Sequence, residues 1–148
     1  MDLMPNDGFD PPRRVLVVDD DAVTRLIIVT ALTQAGYIVR EAGGALAAMR
    51  AVLAEPLDVV VLDLILPDGH GIEVAGAFRA VATTRKLCVV AMTAHAESVT
   101  FVDPRTFGAA QILIKPINVE VLLAAVDGCF EVDWRAQFDA PIDERPVA

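Results

Sequence analysis

The sequence predicts an α/β fold: a doubly wound, five-stranded parallel sheet with helices on both faces. Three observations carry that reading. Short apolar runs rich in Val and Ile, such as RVLVV, VVVLD, LCVVAM and ILI, are too brief for ordinary helices and read as strands buried on both sides. Segments of helical periodicity lie between them, giving βαβ units with right-handed crossovers. Three of the runs also close on charge: RVLVVDDD ends at Asp21, VVVLDLILPDG spans 59–69, and ILIKP spans 112–116. Ligands of open parallel sheets bind just beyond the carboxyl ends of the strands. Asp19, Asp20, Asp63 and Lys115 are therefore expected to converge on one charged pocket, suited to a divalent cation and a phosphoryl group.

Taken in order, residues 1–12 are a loose, proline-containing arm and the first strand is 14–18. A helix over 22–35 stops at Gly36, a common C-terminal cap residue. Its Val23, Leu26, Ile27 and Ala31 are expected to turn inward, with Ile28, Val29 and Leu32 elsewhere on its circumference. That surplus of apolar surface suggests a docking face. Strand two is 37–40, and helix two, 45–55, ends at Pro56. Strand three is 58–62, PDGHG (67–71) is a loop, helix three is 72–82 and strand four is 87–92. The helical stretch 96–107 contains Pro104, so it should be short or broken unless Asp103 caps a new turn with Pro104 at its first position. Strand five is 111–114. The last helix starts after Asn118, a good N-cap, and carries Val119, Leu122, Leu123 and Val126 on one face.

Composition bounds the function. One domain is expected for 148 residues. The net charge of −9 argues against direct binding to nucleic acid or an anionic membrane, and Arg13, Arg14 and Arg25 are too few for a basic patch. The start MDLMPNDGFDPPRR has no apolar core segment of the signal-peptide kind, and no stretch approaches the ~18 apolar residues of a membrane span. A cytoplasmic protein is expected. Cys88 and Cys129 have no metal-type spacing and read as reduced, buried thiols. His70 and His95 read as solvated residues with no metal partner at a useful spacing.

With these residues placed, the chain resembles a response-regulator receiver domain of two-component signalling over residues 13–130. Five features carry the resemblance: the Asp19–Asp20 pair followed by Arg25, Asp63 in DLILPDGHG, Thr93–Ala94 after strand four, Gly108–Ala109, and Lys115–Pro116 after strand five. The resemblance implies a flavodoxin-like sheet in the order 2-1-3-4-5. It implies Mg²⁺ held by Asp20 and Asp63, by Asp19 through water, and by the Ile65 backbone carbonyl. Asp63 would take a phosphoryl group from a sensor histidine kinase or histidine phosphotransfer protein, assisted by Thr93 and Lys115, without turnover of an external substrate. A cis Lys115–Pro116 peptide is implied as well. The chemistry is coherent, since crowded carboxylates repel unless a hard cation joins them and a carboxylate can serve as a covalent acceptor.

Two positions depart from the pattern. Ile112 stands where an aromatic residue usually reports the state of the threonine, and Pro104 interrupts the fourth helix, so an unusual readout through helix four, strand five and helix five is expected. Only 18 residues follow position 130, too few for an output module, and a stand-alone receiver contacting an unknown downstream protein or relaying phosphate is expected. A receiver excised from a hybrid kinase and a receiver-fold binding module are the alternatives; an aspartyl-phosphate phosphatase is disfavoured by Ile65 at the position of its second aspartate. In the extension 131–148, part helical with a disordered end, Trp134 and Phe138 continue a stripe begun by Phe130. The stripe folds back on the protein or docks a partner. A homodimer would form through that tail or through the helix 4–strand 5–helix 5 face.

Overall fold

The computed structural model describes residues 12–81, 87–99 and 103–131. The N-terminal arm before Pro12 and the tail positions Trp134 and Phe138 lie outside the described residues. The strands are β1 (Arg14–Val18), β2 (Ile38–Ala42), β3 (Val59–Asp63), β4 (Cys88–Thr93) and β5 (Ala109–Ile114). All pair in parallel, in the order β2-β1-β3-β4-β5. The helices are α1 (Ala22–Gln34), α2 (Ala45–Ala54), α3 (Gly71–Ala80), α4 (Ala96–Val99) and α5 (Val119–Glu131).

The alternation of each strand splits the core into two layers. Leu16, Val18, Val60 and Leu62 face α2 and α3, where Val52 and Phe78 close the packing. Val15, Val17, Val61 and Val90 face the other way, against Ile28 and Leu32 of α1 and Leu122 and Val126 of α5. Strands β1, β3 and β4 lie inside the sheet and are covered on both faces. Their sequences are accordingly continuous apolar runs.

Local chemistry sets the helix ends. Asp21 caps α1, accepting from the Val23 amide at 3.3 Å and the Thr24 hydroxyl at 2.6 Å. At the other end Gly36 takes φ +99°. Its amide donates to Thr33 O and that of Tyr37 to Leu32 O, the paired bonds of a Schellman ending. Asn118 caps α5 through the Val121 amide at 3.2 Å. The expected break after strand four is present at Asp103, whose extended backbone makes it the N-cap of a separate 3-10 turn, Pro104–Phe107, with Pro104 leading.

Two expectations are overturned. On α1 the buried residues are Ile28 and Leu32, whereas Val23, Leu26 and Ile27 are 65%, 64% and 51% exposed. The helix is apolar nearly all round, so periodicity could not choose its face; the phase is fixed by the Asp21 cap and the exit from β1. Cys88 and Cys129 form a disulfide and are not free thiols. Cys88 points from β4 toward α5, and its Cα lies 6.1 Å from that of Cys129, inside the span a disulfide bridges. A smaller difference concerns PDGHG, where Ile65–Leu66 and Gly69–His70 form a short antiparallel ladder.

Beyond Cys129, the last turn of α5 packs on the protein itself. The Phe130 ring stacks on Tyr37 at 5.9 Å, and the Arg13 guanidinium sits 4.6 Å over its centroid. The Tyr37 hydroxyl donates to Asp127. Burial, reinforced by that carboxylate, holds the Tyr37 phenol well above its ordinary range.

Candidate phosphoryl and metal site

Three strand ends meet at the carboxyl edge of the sheet. β1 releases Asp19 and Asp20, the neighbouring β3 ends in Asp63, and β5 delivers Lys115. Backbone bonds fix these ends: Asp19 N–H donates to Ala42 O at 3.1 Å, Leu64 N–H to Met92 O at 2.9 Å, and Lys115 N–H to Thr93 O at 2.8 Å. The Lys115–Pro116 peptide is cis.

The side chains of Asp19, Asp20, Asp63 and Lys115 meet at this edge. Carboxylate oxygens of Asp19, Asp20 and Asp63 lie within 4.8 Å of one another. The Lys115 ammonium donates to Asp19 Oδ2 at 2.7 Å and to Asp63 Oδ2 at 2.8 Å. Asp19 is fully buried, and its other oxygen accepts from the Asp21 amide at 2.9 Å. Asp63 Oδ1 accepts from the Ile65 amide at 2.9 Å. Asp20 is exposed at the mouth. Burial raises the Asp63 carboxyl above its ordinary value, and the bonds from Lys115 and Ile65 only partly oppose it. Burial also disfavours the Lys115 ammonium, but its two carboxylate partners outweigh that and raise it.

Thr93 closes β4 in register with Ile114, almost wholly buried, and its Oγ1 accepts from the His95 amide at 3.0 Å. Ile65 is 48% exposed, immediately beyond Asp63 and Leu64. The histidines lie outside the cluster: His95 is exposed and 3.5 Å from Glu97, while His70 Nδ1 accepts from the Ile72 amide at 3.4 Å, capping α3.

Supporting residues were less legible. Arg25 donates from Nη1 to Asp19 O at 2.7 Å and from Nε to Glu41 at 3.1 Å, tying the acidic loop to the end of β2. Asp68, in the loop after β3, accepts from the Ala45 amide at 2.6 Å and the Leu46 amide at 3.2 Å, so it caps α2 across the chain. Both bonds hold the Asp68 carboxyl below its usual range. Gly71 is required by proximity: a Cβ there would lie 2.6 Å from Asp63 O. The DG pair in PDGHG signals a turn, but nothing local reveals that its acid serves a helix 23 residues earlier.

This site is matched by known proteins. Residues 15–127 fit the response regulator receiver domain family. The chain belongs to that family. It is 30% identical over 118 residues to a probable chemotaxis protein CheY of Rhizobium etli, covering 79% of this chain and 92% of that protein. Among solved structures, the chemotaxis response regulator CheY4 of Vibrio cholerae superposes with a TM-score of 0.74 at 26% identity, covering 80% of this chain and 99% of that one. The response regulator TrrA of Thermotoga maritima, solved with Mg²⁺ and BeF, matches with a TM-score of 0.70 at 26% identity, covering 79% and 98%. This receiver chain spans about half the length of several other curated relatives. The fold is thus the expected flavodoxin-like one. Among the described residues, no helix is long and apolar enough to cross a membrane.

Proposed function

We propose that residues 13–130 form a phosphoacceptor receiver in which Asp63 takes a phosphoryl group from a phosphohistidine of a sensor kinase or phosphotransfer protein. The observation that carries this is the joint hold of Lys115 on Asp19 and Asp63 beside the exposed Asp20. Three carboxylates against one ammonium leave excess negative charge, and their all-oxygen donor set fits a hard divalent cation. Asp19, Asp20, Asp63 and the Ile65 carbonyl would hold Mg²⁺, which supplies charge neutralisation when bound. Asp63 is aimed by the Ile65 amide and Lys115, and its carboxylate attacks phosphorus as the P–N bond to the donor imidazole breaks. The product is an acyl phosphate on Asp63. Lys115 and the Thr93 hydroxyl are the chain's own groups for the transferred oxygens, in a reaction governed by positioning and charge.

The phosphorylated protein would signal by contact with a downstream protein or by relay. Exposed Ile114 on β5 and Val121 on α5 supply apolar surface for such a contact, or for a second copy. Incubation with acetyl phosphate in Mg²⁺ should modify Asp63 alone. Equal modification of Asp63→Asn, or full modification in chelator, would refute the assignment.

A further inference from the structure

We propose that Cys88 and Cys129 form a reversible thiol–disulfide site that exchanges with low-molecular-weight disulfides and controls the freedom of α5 against the sheet. The inference rests on the receiver reading above for its consequence, and on the cysteine pair for its chemistry. Cys88 lies on β4, fully buried, five positions before Thr93; Cys129 lies near the end of α5 and is partly exposed. Their bond encloses residues 88–129, and so Thr93, Lys115 and the exposed Ile114 and Val121. It fastens the helix that presents Val121 to the strand that ends in the phosphoryl site. Receiver domains generally work in the cytoplasm, where disulfides are transient. A disulfide built there between one partly exposed and one fully buried cysteine has the asymmetry that exchange needs.

The step balances as two displacements. The Cys129 thiolate attacks one sulfur of an external disulfide, forming a mixed disulfide and expelling one thiolate. The Cys88 thiolate then attacks the Cys129 sulfur, forming the protein disulfide and expelling the second. The two protons lost by the protein thiols end on the two released thiols. An external thiol reverses the sequence, entering at Cys129. With the bond closed, α5 cannot shift relative to β4; with it open, phosphorylation can move α5.

The full-length protein is equilibrated with oxidised or reduced glutathione, and its thiols are counted by alkylation and mass spectrometry. Two thiols should appear after reduction and none after oxidation, reversibly. Cys88→Val should stop at a glutathione adduct on Cys129, while Cys129→Ser should form none at position 88. Amide exchange over residues 119–131 is then followed with and without Mg²⁺ and beryllium fluoride. The reduced protein should show a change that the oxidised protein lacks. Absence of reversible exchange, an adduct on Cys88 in Cys129→Ser, or equal α5 responses in both redox states would overturn the proposal. Acetyl phosphate labelling of the reduced protein separates the two readings. Unlabelled Asp63 removes the receiver reading and the α5 coupling with it, whereas labelled Asp63 with redox-blind α5 removes the coupling alone.

Discussion

Lys115→Met keeps the length and apolar stem of the side chain and deletes only its ammonium. Two bonds of 2.7 and 2.8 Å are lost. Hydrogen bonds to charged groups contribute about 1.5–3 kcal/mol each. These two share one cation whose side chain keeps 18% exposure, so the combined loss should be on the order of 2–3 kcal/mol, below the simple sum. The buried acids then face each other uncompensated: within 4.8 Å and at an effective dielectric of 20, unit charges repel by at least about 3.5 kcal/mol. Protonation relieves that repulsion, and Asp63, already raised by burial, should be raised further. A carboxyl raised in the folded state costs stability as pH climbs through its folded pKa. The variant should therefore be weakest near neutral pH and recover as the pH falls toward the ordinary aspartate range, about pH 4. Mg²⁺ replaces the missing cation, so its stabilising effect should exceed that on the parent protein; a site at hundredfold ligand excess over Kd adds about 2.7 kcal/mol. Urea unfolding in chelator and in Mg²⁺, at both pH values, measures all of this. Parental stability of the variant in chelator near neutral pH, or a smaller gain from Mg²⁺, would show that Lys115 is not the counter-ion.

Two further substitutions probe the site's mouth and the end of α5. Ile65 cannot hydrogen-bond an attacking water and stands exposed beyond Asp63, so Ile65→Asn should shorten the lifetime of the phosphorylated protein; radiolabel retention over time measures this, and an unchanged or longer lifetime contradicts it. Phe130→Ala removes the stack on Tyr37 and the contact with Arg13 and should cost about 1–2 kcal/mol in chemical denaturation, the side chain being only partly buried; no measurable loss would mean that the contact adds nothing.

What the sequence revealed follows its range of interaction. The five strands, the Asn118 and Asp103 caps and the broken fourth helix are set by residues a few positions apart, and they were legible. The charged cluster was legible for another reason: parallel strands deliver their carboxyl ends to one edge, so Asp19, Asp63 and Lys115 needed no further information to meet. The buried face of α1 was not legible, because adjacent Ile27 and Ile28 are chemically alike while one is half exposed and the other fully buried. Nor was the disulfide, since joining Cys88 to Cys129 depends on which side of β4 faces α5. Arg25 shows an intermediate case: its type matched the family, but its bond to Asp19 O required the fold.

The cap that Asp68 places on α2 makes two distant positions answer to each other. A Cβ on Gly44 would lie 2.7 Å from Asp68 Oδ1, so a side chain at position 44 would push the carboxylate off its bonds to Ala45 and Leu46, and a shorter residue at 68 would release that constraint. Substitutions at 44 and 68 should be non-additive, the second costing less once the first is made. Related chains should consequently change the two together: one sequence position in the loop after β3 carries a record of what the turn before α2 allows.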